Sequence, residues 1–91
     1  MNENHDNLKK KLIEALKNEL PVLRAKGRLS QEEIAEAIGI SRQTYGAIET
    51  GKREMSWMTF LALIAFFQNN DRTKDMLNSM DDIIGGLKTI V

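Results

Sequence analysis

Apolar residues recur at helical spacing through most of the chain, and the pattern predicts an all-helical fold. Leu8, Leu12, Ile13, Leu16, Leu20 and Leu23 fall on one stripe, with lysines and glutamates between them. Such a stripe marks an amphipathic helix laid on a core. Pro21 interrupts it, because proline lacks the amide that would bond the carbonyl of Lys17. Either the helix kinks at Pro21, or one helix ends near Lys17 and a second begins with Pro21 in its first turn. Gly27 suits a left-handed helix stop. Residues 1–7 are polar apart from Met1 and are expected to fray.

The next elements are short and sharply punctuated. Ser30-Gln31-Glu32-Glu33 forms a capping box, in which hydroxyl and carboxylate each take up a free amide of the first turn. Ile34, Ala35 and Ile38 form the inner face of this second helix, and Gly39 ends it. Ser41 caps a third helix whose inner residues are Tyr45 and Ile48, and Gly51 closes it. Lys52 to Met55 is a loop. Ser56 caps a fourth helix, Trp57 to about Gln68, which is apolar nearly all round and is expected to be the most buried. Asn69-Asn70-Asp71 is a turn, with Asp71 or Asn70 as the cap of a fifth helix from Arg72 to about Met80. Beyond it, Asp82-Ile83-Ile84 suits another helical turn, Gly85-Gly86 is expected to break it, and Leu87 to Val91 has some strand character.

Two short helices joined by a glycine-containing turn make a helix-turn-helix unit, here residues 31–50. Ala35 is small where the two helices cross, and Gly39 supplies the positive φ of the turn. Ile34, Ile38, Ile40, Tyr45 and Ile48 fill the wedge between them.

Arg24 to Phe67 resembles the Cro/lambda-repressor type of helix-turn-helix DNA-binding domain. The resemblance is carried by LRAKGRLSQEEIAEAIGISRQTYGAIETGKREMSW, and above all by LSQEEIA, GISRQT and IETGK within it. It covers about half the chain. It implies an all-α, five-helix, lambda-repressor-like domain with an N-terminal helical extension and a short C-terminal tail. The chain is then a single domain, 1–91, with its helix-turn-helix core over about 20–68 and a fifth helix and tail over 69–91.

The resemblance also implies roles. Arg42, Gln43, Thr44 and Ala47 would read bases from the recognition helix, residues 42–50, in the major groove. The chemistry of the first two agrees, since arginine grips guanine O6 and N7, and glutamine grips adenine N6 and N7. Ala47 offers only a methyl for thymine. Gln31, Ser41, Thr50, Lys52 and Arg53 would contact phosphates, Gln31 from a helix N-terminus that favours anions. Arg24 and Glu49 would form a partly buried ion pair between the first and third helices. Two residues depart from the family pattern. Gly46 costs about 1 kcal/mol of helix propensity against alanine and presents no reading group. Tyr45 replaces an aliphatic residue, with a ring suited to the core and a hydroxyl that would reach the surface.

Charge and composition narrow the functions. The chain has 91 residues, 13 basic and 13 acidic side chains and no cysteine. Zero net charge argues against binding nucleic acid by bulk attraction alone. The distribution helps: residues 24–53 carry six basic and four acidic side chains, residues 54–91 three and five. Without cysteine there is no disulfide framework and no thiolate chemistry. No apolar run approaches the roughly 20 residues of a membrane span, and the N-terminus lacks a signal-peptide stretch, so a cytoplasmic protein is expected. No catalytic constellation emerges, so neither enzyme activity, cofactor nor metal is expected. Lone His5 carries no role, Lys9-Lys10-Lys11 reads as a solvated face, and Asp81-Asp82 as a helix cap. Trp57, Phe60, Phe66 and Phe67 are core or dimer-face residues.

The expected function is a sequence-specific regulator of transcription that binds duplex DNA as a homodimeric repressor. One recognition helix reads only a few base pairs, so this fold uses twofold sites about 34 Å apart. The dimerisation segment is expected in the fifth helix and tail, through Met76, Met80, Ile83, Ile84 and Leu87. Two alternatives share the fold: an antitoxin that also represses its own operon and masks a toxin, and a protein-interaction module that has lost DNA binding.

Overall fold

The computed structural model describes residues 3–90 and contains six helices and no strand among them. They are α1 (Glu3–Gly27), α2 (Gln31–Ile38), α3 (Arg42–Thr50), α4 (Trp57–Gln68), α5 (Lys74–Asn78) and α6 (Asp81–Ile90). The all-helical, lambda-repressor-like class holds, with one helix more than the pattern predicted.

α1 runs unbroken through Pro21, which stands on its exposed side. One helix therefore replaces the two-helix alternative. The bond missing at Lys17 is offset by burial on both sides of it: Leu12, Leu16, Leu20 and Leu23 are all buried, at spacings of four, four and three. Glu3 to Asn7 continue the helix rather than fraying, while Met1 and Asn2 lie outside the described residues. The left-handed residue at its end is not Gly27 but Arg28, with φ 56°. Gly27 serves a different need. A Cβ there would stand 2.6 Å from Leu29 Cδ1 and 3.0 Å from Thr73 Cγ2, so a side chain would have to displace those of Leu29 and Thr73.

Serine caps α2, α3 and α4 alike. The Ser30, Ser41 and Ser56 hydroxyls accept from the amides of Glu33, Thr44 and Thr59 at 3.0–3.1 Å. Glu33 accepts from the Ser30 amide at 2.9 Å, completing the capping box and holding its carboxyl below the usual carboxylate range. Gly39 and Gly51 end α2 and α3 with φ of 83° and 84°. α4 buries Phe60, Leu63, Ile64 and Phe67 but leaves Met58 74% exposed, so it is less completely enclosed than its composition suggests. Trp57 stacks on Phe60 with ring centroids 4.7 Å apart, and Lys9 lies over the Trp57 ring at 5.1 Å. Lys9 is thus part of a packed contact, whereas Lys10 and Lys11 are exposed.

α5 is shorter than the expected 72–80. Residues 71–73 form a turn in which Asn70 Oδ1 accepts from the Arg72 amide. Thr73 is buried and donates to the carbonyl of Phe67 at 2.8 Å, tying α5 to the end of α4. Gly85-Gly86 does not break the C-terminal segment, and Leu87 to Ile90 are helical rather than strand-like. α6 packs along α1, burying Ile83 completely. The contact explains Gly86, where a Cβ would stand 2.7 Å from Leu12 Cδ2. Gly85 faces open space. Gly85→Ala is therefore expected to raise the unfolding free energy by about 1 kcal/mol through helix propensity. Gly86→Ala forfeits that gain against Leu12. Urea unfolding of the two variants beside wild type checks the pair.

Candidate nucleic-acid interface

Seven of the residues assigned to DNA lie on α3 and the loop that follows it. Arg42 and Gln43 occupy the first turn of α3, are exposed, and their side chains make no hydrogen bond or ion pair with other described residues. Ser41 is committed to capping: its hydroxyl accepts from the Thr44 amide and donates to Thr44 Oγ1 at 2.9 Å. Thr44 and Ala47 are half-buried. Thr50 is exposed, but its hydroxyl donates back to the carbonyl of Gly46 at 3.0 Å. Lys52 and Arg53 are exposed in the loop, which is tied to α3 by the Arg53 amide donating to the carbonyl of Ala47 at 3.1 Å. Lys17 of α1 comes to the same place. Its ammonium lies 3.6 Å from where a Cβ on Gly51 would stand, and it pairs with Glu14 at 3.1 Å. Sequence reading gave Lys17 no role, because only the packing of α1 against α3 brings it beside this loop.

The inner side of α3 is held by a four-residue network. Arg24 grips Glu49 in a fork, Nη2 to Oε1 at 2.9 Å and Nε to Oε2 at 3.0 Å, and its Nη1 donates to the carbonyl of Leu29. Tyr45 donates its hydroxyl to Glu49 Oε2 at 2.7 Å, and Gln31 donates Nε2 to Oε1 at 3.3 Å. One carboxylate thereby joins α1, α2 and α3. The Glu49 side chain is 7% exposed and that of Arg24 28%. Burial pushes the Glu49 carboxyl up, but the hydrogen bonds from Arg24 and Tyr45 outweigh it and hold the carboxyl below the usual range. The same hydrogen bond to Glu49 raises the Arg24 guanidinium, against the opposing effect of burial. Burial first, then Glu49, pushes the Tyr45 phenol far up, so it remains a donor. The Tyr45 hydroxyl is an interior strut and does not reach the surface.

Gln31, expected at a phosphate, stands at the start of α2. Its side chain turns toward α3, lying over Gly46 and reaching Glu49. Arg24, Gln31 and Arg42 line one open cleft together with Ser30, Glu32, Glu33 and Glu36.

The expected dimerisation residues divide. Ile83 is wholly buried within the chain, so its place is the core and not a partner-facing surface. Met76, Met80, Ile84 and Leu87 are half-buried and pack against that core. Among the described residues no cluster of His, Asp or Glu is placed to hold a metal ion, and no helix is long and apolar enough to cross a membrane.

Comparison with known proteins agrees with this geometry. A helix-turn-helix family profile matches residues 22–68, the end of α1 through α4. An uncharacterized HTH-type transcriptional regulator of Methanocaldococcus jannaschii is 42% identical over 52 residues, which is 57% of this chain and 79% of that protein. No solved structure matches. With three serine-capped helices, a glycine turn and a family match spanning all of them, the chain belongs to the Cro/C1-type helix-turn-helix family of DNA-binding regulators.

Proposed function

We propose that this chain is a homodimeric repressor that acts by occupying a twofold duplex operator. The observation that carries the reading is the unpartnered, exposed pair Arg42 and Gln43 at the start of a rigidly held α3. Their donors and acceptors are free for base edges, arginine for guanine and glutamine for adenine. Thr44 lies in the same turn and Ala47 on the next, where a methyl can meet thymine. Lys52 and Arg53 grip backbone phosphates, with Ser41, Thr50 and the N-terminal end of α2 at Gln31 beside them. With zero net charge overall, affinity rests on these local cations. The second copy docks on the α5–α6 side through the exposed remainder of Met76, Met80, Ile84 and Leu87, and two recognition helices then meet successive turns of the duplex.

The roles of the loop cations have a distinct signature. Lys52→Ala and Arg53→Ala should each weaken binding evenly across DNA sequences and lower the salt slope of log K by about 1. Titrations over a range of salt concentrations read this directly. An unchanged slope would remove these residues from the phosphate contacts. Sedimentation of the complex should give two chains per duplex.

A further inference from the structure

Four open clefts adjoin one another along α2, α4 and α5, and none of them is lined by α3 or by the loop after it. The first lies between α2 and α4 and is largely apolar, with Ile38 and Phe66 half-buried and Ala37 and Ala65 exposed. Ala37, Phe66 and Asn70 also line the second, and Leu29, Glu33 and Asn70 continue from it into the third. The third and fourth share Arg28, Asp71 and Arg72, where the turn after α1 meets the turn before α5. The clefts thus form one groove, apolar at its α4 end and basic at its α5 end. An occupant need not compete for α3.

The basic end carries charge that the rest of the chain does not answer. The side chains of Lys26, Arg28 and Arg72 line the fourth cleft and make no hydrogen bond or ion pair with other described residues. The acids near them are mostly committed: Asp71 pairs with Lys74 at 3.4 Å and Glu33 accepts from the Ser30 amide, which leaves Asp75. Arg28 also takes the left-handed conformation, φ 56°, which a side chain disfavours, although a glycine stands beside it. That glycine, Gly27, packs against Thr73, so the two turns that carry the arginines are held together. A free guanidinium is a planar fork matched to a carboxylate. We infer that the groove docks an acidic, apolar segment of a partner protein, with its carboxylates on Arg28 and Arg72 and its apolar side chains against Phe66 and Ile38. A peptide fits better than nucleic acid, because a phosphate backbone has nothing to place on the apolar end and meets like charge at Asp75 and Glu36. Glu36, in the same cleft as Phe66, keeps the acidic end of the segment at the arginines. This docking goes beyond DNA binding and does not depend on it.

The test selects peptides of random sequence, displayed on phage, against the full chain, and then titrates the enriched peptides in solution by fluorescence anisotropy. Enriched sequences should join aspartates or glutamates to large apolar residues. Their affinity should fall about tenfold in an Arg28→Gln, Arg72→Gln double variant. Ala65→Glu, which puts a charge at the apolar end and leaves the arginines in place, should weaken the same peptides. All three positions are exposed, so the variants keep their fold, which thermal melting verifies. Affinity for duplex DNA and the number of chains in sedimentation should match wild type. Failure of the folded chain to enrich such sequences would overturn the proposal, as would equal binding of the peptides by wild type and both variants. A double variant that loses affinity for DNA would make the arginines phosphate contacts, and one with an altered number of chains would place them between copies. Either result also overturns the assignment.

Discussion

Glu49→Ala is expected to lower the unfolding free energy by about 3 kcal/mol, because it leaves a partly buried guanidinium without its counter-charge. The effect exceeds that of a surface ion pair, which is worth roughly 0–1 kcal/mol. Glu49 is 7% exposed and accepts from three helices, so its loss also strands the Tyr45 hydroxyl and frees Gln31. Urea unfolding at neutral pH measures it, and a variant as stable as wild type would show that the network contributes nothing. The pH dependence has a definite sign. The folded carboxyl titrates below its unfolded value, so its contribution is complete above about pH 4.5 and is lost as pH falls through the folded value. The gap between wild type and Glu49→Ala should therefore narrow on acidification below about pH 4.5.

Ile83→Ala should cost a further large amount, about 3 kcal/mol, through a cavity between α6 and α1. For a domain of this size that is a substantial share of the total stability. The interest lies in which interface carries the loss. Ile83 is fully buried within one chain, so the destabilisation should appear equally at low and high protein concentration. A loss that vanishes on dilution would place Ile83 between two copies instead.

The pattern of apolar and capping residues made α1 to α4 legible. Serine at a helix start and glycine at a helix end have local physical causes, and Ser30, Ser41, Ser56, Gly39 and Gly51 act through them. The harder positions were glycines whose cause is a distant neighbour. Gly27 reads locally as a left-handed stop, yet it makes room for Leu29 and Thr73 while Arg28 takes the positive φ. Gly86 reads as a breaker, yet it admits Leu12 and lets α6 lie against α1. Tertiary packing overrode propensity there, and Ile83 moved from an expected partner surface into the core. At the candidate site, the phrase GISRQT placed Arg42 and Gln43 at the start of α3. The course of the Gln31 side chain was not legible, because it depends on how closely α2 and α3 approach at Gly46.

The claim at the centre is that Arg42 and Gln43 read DNA sequence from a twofold assembly. Enrichment of bound duplexes from a random pool tests it most directly, with wild type beside an Arg42→Ala, Gln43→Ala double variant. Wild type should select a twofold motif with half-sites one helical turn apart, about 34 Å centre to centre. The double variant, still folded by thermal melting, should lose that motif or relax it at specific positions. Enrichment of the same motif by both proteins would contradict the assignment of the readers, and no enrichment by folded wild type would contradict the function itself.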